Sequence, residues 1–370
     1  MKKSLSSSPS IRARRRRAHA PAGRGTFITV ICAVCAVVIA ASAILCCKAG
    51  VPASCTAQNT PLPLNTPTGI AAVSPVPTIE PTPVPTVEPT PAPYVFVSVS
   101  ASAESEGLLA LVNYEHDFPN AETTAVVPVS ASDTMLTDRD DLSLAPNALS
   151  ALSALAEAFY AQTGGDRLLL TSAYRTLEYQ QGVYDDYVAA YGKEAADAYV
   201  AAPGTSEHHT GLAADLSSIS KDGERVTLPN HAQFEWLKAH CADYGFILRY
   251  PPGKESLTHV AYEPWHFRFI GKENAAAVRA LGITYEEYIE YLRGFTPEGG
   301  LLYLPSLSVE KPEELGTAQL SALPDSGYVI YFVPTNEKTD AEIEIPVPAQ
   351  CKNYFVSGTN AGGFVVTAEL

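Results

Sequence analysis

Two stretches, Ser206-Glu207-His208-His209-Thr210-Gly211-Leu212-Ala213-Ala214-Asp215 and Tyr262-Glu263-Pro264-Trp265-His266-Phe267, decide how the chain is read. His208, Asp215 and His266 offer two ring nitrogens and a carboxylate oxygen. Three protein ligands with a fourth position left for water is the donor pattern of catalytic rather than structural zinc. The chain from His208 to Asp215 must fold back on itself, and Thr210-Gly211 permits that turn. The small Gly211, Ala213 and Ala214 let the backbone pack closely beneath an ion. Glu263 precedes Pro264 and is therefore held extended. A turn at Pro264-Trp265 then brings Glu263 and His266 to one side. Glu263 is expected beside the metal as a general base, which takes a proton from bound water and passes it to a leaving amine. Arg175, at a strand end, can supply positive charge to a carbonyl oxygen or a substrate carboxylate.

Periodicity places these residues in a mixed domain. Val95–Val99 alternates like a strand, and Leu108–Asn113 reads as another. Asn147–Gln162 has helical spacing in Leu149, Leu152, Leu155, Ala156 and Phe159, and Gly164-Gly165 stops it. Leu168–Tyr174 reads as a buried strand ending at Arg175, followed by a helix over Leu177–Tyr191. Trp236, Leu237, His240, Cys241 and Tyr244 form one face of a third helix, capped by Gly245. Thr284-Tyr285-Glu286-Glu287 is a capping box. Beyond Gly300 the strand-like runs Val329–Val333, Ile343–Pro348, Tyr354–Ser357 and Phe364–Ala368 form a small β-rich appendage.

The remainder of the chain concerns location. Of the 370 residues 46% are hydrophobic and 18% charged, which excludes a uniformly disordered chain. The net charge of −15 hides a split: residues 1–50 hold nine basic residues and no acid, and the other residues carry 16 basic against 40 acidic. An acidic body argues against nucleic acid as a partner. Thr26–Cys47 lacks charge and is long enough, at roughly 33 Å as a helix, to cross a bilayer. With Arg14–Arg17 and Arg24 ahead of it, the positive-inside rule keeps the N-terminus cytoplasmic and exports the rest. A cleaved signal peptide would have a shorter apolar core. The expected layout is a basic tail over 1–25, a signal-anchor over 26–47 and a linker over 48–94. A catalytic domain over 95–296 and the appendage over 297–370 follow. Residues 51–94 contain 12 of the 29 prolines, which suits an extended stalk. Cys241 and Cys351 are expected as isolated buried thiols rather than a bridge.

The paired motifs resemble those of the VanY-type D-alanyl-D-alanine carboxypeptidases, metallopeptidases grouped with D-Ala-D-Ala dipeptidases and distantly with hedgehog domains. Leu111-Val112-Asn113, Ser172-Ala173-Tyr174-Arg175 with Gln180, Pro203-Gly204, and Tyr244-Gly245-Phe246 followed by Arg249-Tyr250-Pro251 extend the resemblance in the family's order. It covers about 108–272. One departure is His259, where relatives usually have Gly. The resemblance implies one zinc ion on His208, Asp215 and His266, with Glu263 as base. It places Arg175 and Ser206 at the substrate, and leaves Gln180 between a helix-face hydrogen bond and a substrate contact. It also implies an α+β fold, with helices around a small antiparallel sheet. The expected reaction is removal of the terminal D-Ala of peptidoglycan stem peptides outside a plasma membrane. Two other readings are weighed: an L,D-carboxypeptidase of tetrapeptide stems, and a non-catalytic zinc-bearing module that binds cell wall. A serine-peptidase reading of Ser218-Ile219-Ser220-Lys221 fails, because no Lys-Thr-Gly follows and the segment is a polar loop. His209, adjacent to His208, is expected to point away from the metal.

Overall fold

The computed structural model describes residues 93–335 and 341–370. They belong to one compact unit, Thr86–Leu370. The basic tail, the apolar stretch Thr26–Cys47 and nearly all of the proline-rich stretch lie outside the described residues. Among the described residues no helix is long and apolar enough to cross a membrane.

The architecture is α+β. Its central sheet has six strands, in the order Met135–Thr137, Arg167–Ser172, Ala213–Ile219, His266–Phe269 and Phe246–Leu248, with Arg225–Val226 also paired to Ala213–Ile219. The first pair is parallel and the others antiparallel, so the expected antiparallel sheet carries one parallel edge pair. The helix Pro146–Thr163 buries Leu152, Leu155, Ala156 and Phe159. These join one core cluster with Leu168, Leu170, Leu216, Phe246 and Phe267 from the sheet. The spacing that predicted the helix is the spacing that buries it. Gly164, in the left-handed conformation, ends it.

The expected third helix is two pieces, Phe234–His240 and a 3-10 turn Cys241–Tyr244, closed by Gly245 with φ +86. A Cβ at Gly245 would stand 3.0 Å from the carbonyl carbon of Gly271, so side-chain-free backbone is needed there. Leu108–Asn113 is not the strand that its alternation suggested. Its carbonyls are used elsewhere: Arg268 Nη2 donates to Leu108 O at 3.1 Å and to Ala110 O at 2.9 Å. Leu111 N donates to Thr359 O at 2.8 Å.

The C-terminal region is a five-stranded antiparallel sheet, in the order Gly316–Ala318, Leu301–Leu304, Tyr328–Pro334, Gly363–Glu369 and Asn353–Gly358. Alternation along Tyr328–Pro334 sends Ile330 and Phe332 into the core under the helices Lys272–Leu281 and Tyr285–Leu292. Val329 and Tyr331 face the other way, toward Ile345 and Val347. Those last two lie on the strand Glu342–Pro348, which pairs with Tyr94–Ser100. The first described strand is thus joined to the C-terminal region through a ladder. Cys241 is a buried free thiol, and Cys351 is free and only half-buried.

Candidate metal centre

The turn Glu207–Thr210 is a single 3-10 turn that ends on Gly211, φ +68. A Cβ at Gly211 would stand 2.8 Å from Val126 Cγ1 and 3.2 Å from Ala145 N. The turn delivers His208 to the head of the strand Ala213–Ile219. On that strand Asp215 sits opposite His266 of the neighbouring strand. On its other side Asp215 faces Ser172, just after a register shift in Arg167–Ser172. Sheet register therefore brings together residues far apart in the chain.

One ligand atom from each of His208, Asp215 and His266 lies within 4.8 Å of the others. His208 Nε2 is 3.3 Å from Asp215 Oδ2, and His266 Nδ1 is 3.1 Å from Asp215 Oδ1. Asp215 Oδ1 is buried yet accepts no hydrogen bond, so the close imidazole approaches out of line. The far side of each ring is occupied. His208 Nδ1 lies 2.6 Å from Ala173 O, and His266 Nε2 lies 3.2 Å from Glu207 Oε2. Rings anchored on the outside, with their other nitrogens turned toward the two oxygens of one carboxylate, of which Oδ1 is orphaned, fit a nitrogen–oxygen site for a divalent ion.

Charge in the cluster is uneven. Burial pushes His208 down to about 4, with the Arg175 charge adding to the fall. Burial also opposes charge on His266, but the nearby carboxylates of Asp215 and Glu207 outweigh it and hold the ring up to about 9. Asp215 is held well below the usual carboxylate range despite burial, chiefly by His208 and His266. Glu263 Oε2 lies 3.6 Å from His266 Nδ1, its side chain 21% exposed. The turn is closed by His266 N donating to Glu263 O at 3.2 Å. Burial pushes Glu263 up to about 7, in the range where a carboxylate can both take and give a proton near neutrality.

Arg175 follows the strand Arg167–Ser172. Its Nη2 reaches Asp215 Oδ2 at 3.1 Å and Ser172 Oγ at 2.8 Å, and its Nη1 reaches Gln180 Oε1 at 3.2 Å. Gln180 is the buried residue of the helix Leu177–Tyr191, and its Nε2 donates to Ala201 O at 2.7 Å. Both ends of this amide are occupied, so its geometry is that of a support for Arg175. Ser206 is buried at the start of the metal turn. His209 is fully buried and turned away, with Nδ1 2.7 Å from Arg175 O and Nε2 accepting from Gly204 N at 3.1 Å. Ser218 Oγ donates to Val226 O at 2.9 Å, within the sheet. His259 has φ +55, and its Nε2 lies 3.0 Å from Tyr114 Oη.

The residues that sequence reasoning missed as part of this centre are Glu207, Arg249 and Arg268. All three side chains are fully buried. Glu207 stays ionised: burial opposes it, but Arg249, Arg268 and His266 hold its carboxyl far below the ordinary range. A signal was present. Arg268 lies two residues after His266, so on a strand it shares that face and must find an acid inside.

Comparison with known proteins gives the chain its family. The family described as VanY, D-alanyl-D-alanine carboxypeptidase, matches residues 141–272. The chain is 35% identical over 190 residues to YodJ of Bacillus subtilis (strain 168), covering 51% of this chain and 69% of that protein. It is 34% identical over 195 residues to a D-alanyl-D-alanine carboxypeptidase of Enterococcus faecalis (strain ATCC 700802 / V583), covering 50% and 67%. A similar solved structure is that of the vancomycin resistance D,D-dipeptidase VanXYg in complex with a D-Ala-D-Ala phosphinate analog. Its TM-score is 0.61 at 26% identity, covering 75% of this chain and 99% of that one.

Proposed function

We propose, for a chain that belongs to the VanY family of zinc D-alanyl-D-alanine carboxypeptidases, that it trims the C-terminal D-Ala from peptidoglycan stem peptides on the outer side of a plasma membrane. The observation that carries the reading is the convergence of His208, Asp215 and His266 with Glu263 beside them. A zinc ion held by those three residues would polarise the scissile carbonyl and acidify a water molecule. With the ion bound, Glu263 would take a proton from that water and return it to the departing D-alanine amine. Arg175, held by Ser172 and Gln180, directs its guanidinium into the same space, where it pairs with the substrate carboxylate or the carbonyl oxygen. Ser206, at the base of the turn, is the second substrate-side residue of this reading. The anchor and stalk read from residues 1–94 would hold the catalytic unit at the distance of a wall polymer.

The test is digestion of purified muropeptides by the full-length chain, with and without a chelator. Pentapeptide stems should lose one D-alanine in the zinc-loaded protein and none after chelation. No loss of terminal D-alanine in the metal-replete protein would refute the reading. Product masses on tetrapeptide stems tell the D,D from the L,D activity. Fractionation of cells that express the full chain checks the anchor, since the protein should follow the membrane.

A further inference from the structure

We infer that Glu207 is a positioning residue of the metal centre: pinned by Arg249 and Arg268, it fixes the ring of His266 so that Nδ1 meets the ion. The inference rests on the zinc reading above. Glu207 Oε1 accepts from Arg249 Nε at 2.7 Å and from Arg268 Nη1 at 2.9 Å. That leaves Oε2 to face His266 Nε2 at 3.2 Å. A carboxylate only accepts, so Nε2 must carry a hydrogen, and a neutral ring then has its lone pair on Nδ1. The two guanidiniums are themselves fixed. Arg268 is tied to the carbonyls of Leu108 and Ala110, and Arg249 Nη1 to Glu286 Oε2 at 2.8 Å.

Two consequences follow from this clamp. Glu207 adjoins the ligand His208, yet it cannot swing toward the ion without breaking two buried ion pairs. Glu207 is therefore held away from the ion that His208, Asp215 and His266 would bind. In addition, the quartet of Glu207, Arg249, Arg268 and Glu286 is electrically balanced, so its burial does not leave a net charge in the interior. The effect on the metal is indirect: an anion behind the imidazole raises its basicity toward the ion and holds its plane.

The experiment uses the full-length chain. Zinc affinity is measured by chelator competition above pH 9, where the His266 proton no longer competes in any variant, for wild type, Glu207→Gln and the double variant Glu207→Gln/Arg268→Met. The double variant restores charge balance in case the single one does not fold. Both should bind zinc about 10- to 100-fold more weakly than wild type. In parallel, ring nitrogen resonances of histidine-labelled, zinc-loaded wild type should show His266 with Nδ1 bound and a protonated Nε2. A folded double variant with affinity within about twofold of wild type would overturn the inference, as would a His266 ring coordinated through Nε2. If neither variant folds, the wild-type resonances decide alone. Absence of D-alanine release from the wild type counts against the carboxypeptidase reading only, because affinity and ring signature are read without substrate.

Discussion

Zinc uptake by the metal-free protein should expel between about one and about one and a half protons at pH 7, and His266 should be their main source. The ring is held up to about 9 by Asp215 and Glu207 against burial, so at neutral pH it is almost wholly protonated. A ligand nitrogen must give up that proton before it can bind. Two pH units separate 7 from about 9, which makes zinc binding at pH 7 about 100-fold weaker than on the alkaline plateau, a difference on the order of 3 kcal/mol. His208, at about 4, is already neutral and contributes nothing. Glu263, at about 7, is half-protonated, and a cation beside it expels up to about half a proton more. The sign is fixed by these positions: affinity rises with pH, by about tenfold per unit, until the His266 proton is gone. Titration calorimetry in buffers of different ionisation heat counts the released protons directly. Glu263→Gln should bring the count down toward one. A flat affinity between pH 7 and 9, or no proton released at pH 7, would refute the charge assignment.

Glu263→Gln should also lower turnover on the order of 10²- to 10⁴-fold while zinc affinity at high pH stays near wild type. Turnover within tenfold of wild type would remove Glu263 from the proton path. Gly211→Ala forces a Cβ into a left-handed turn against Val126 and the backbone of Ala145, so it should cost more than about 1 kcal/mol in urea unfolding; an unchanged midpoint would mean that the turn relaxes freely. Acid unfolding should depend on Glu207. Its folded value lies below the unfolded 4.5, so its stabilisation is complete above that value and is lost as pH falls further. Urea midpoints of the metal-free wild type should fall steeply below about pH 4.5, and those of Glu207→Gln/Arg268→Met should fall less.

The sequence disclosed those parts of the molecule in which one segment settles its own state. Leu152, Leu155 and Phe159 announce a helix whatever lies across from them, and Thr284 with Glu287 closes a capping box within four residues. His208, Asp215, Glu263 and His266 stood out because their residue types and spacing carry chemistry. What stayed hidden depends on partners remote in the chain. The parallel pairing of Met135–Thr137 with Arg167–Ser172 has no local signature. The ladder between Tyr94–Ser100 and Glu342–Pro348 joins segments separated by some 240 residues. Neither helical spacing nor strand alternation can report either one.

The failed strand at Leu108–Asn113 shows how such remote partners act. Leu109 and Leu111 join one core cluster and Ala110 and Val112 another, as the two faces of a strand would. Pairing fails because two of its carbonyls are claimed by Arg268, a cation buried completely on a neighbouring element. Arg268 cannot lie in the interior without acceptors, and it takes four: those two carbonyls, the carbonyl of Phe269 and the carboxylate of Glu207. Removing any one leaves a buried charge short of partners, at a cost that local β-propensity, within about 1 kcal/mol, cannot offset. The same guanidinium that denies Leu108–Asn113 a ladder therefore keeps Glu207 ionised behind His266. Irregular backbone at this point is a consequence of how the metal centre is charged.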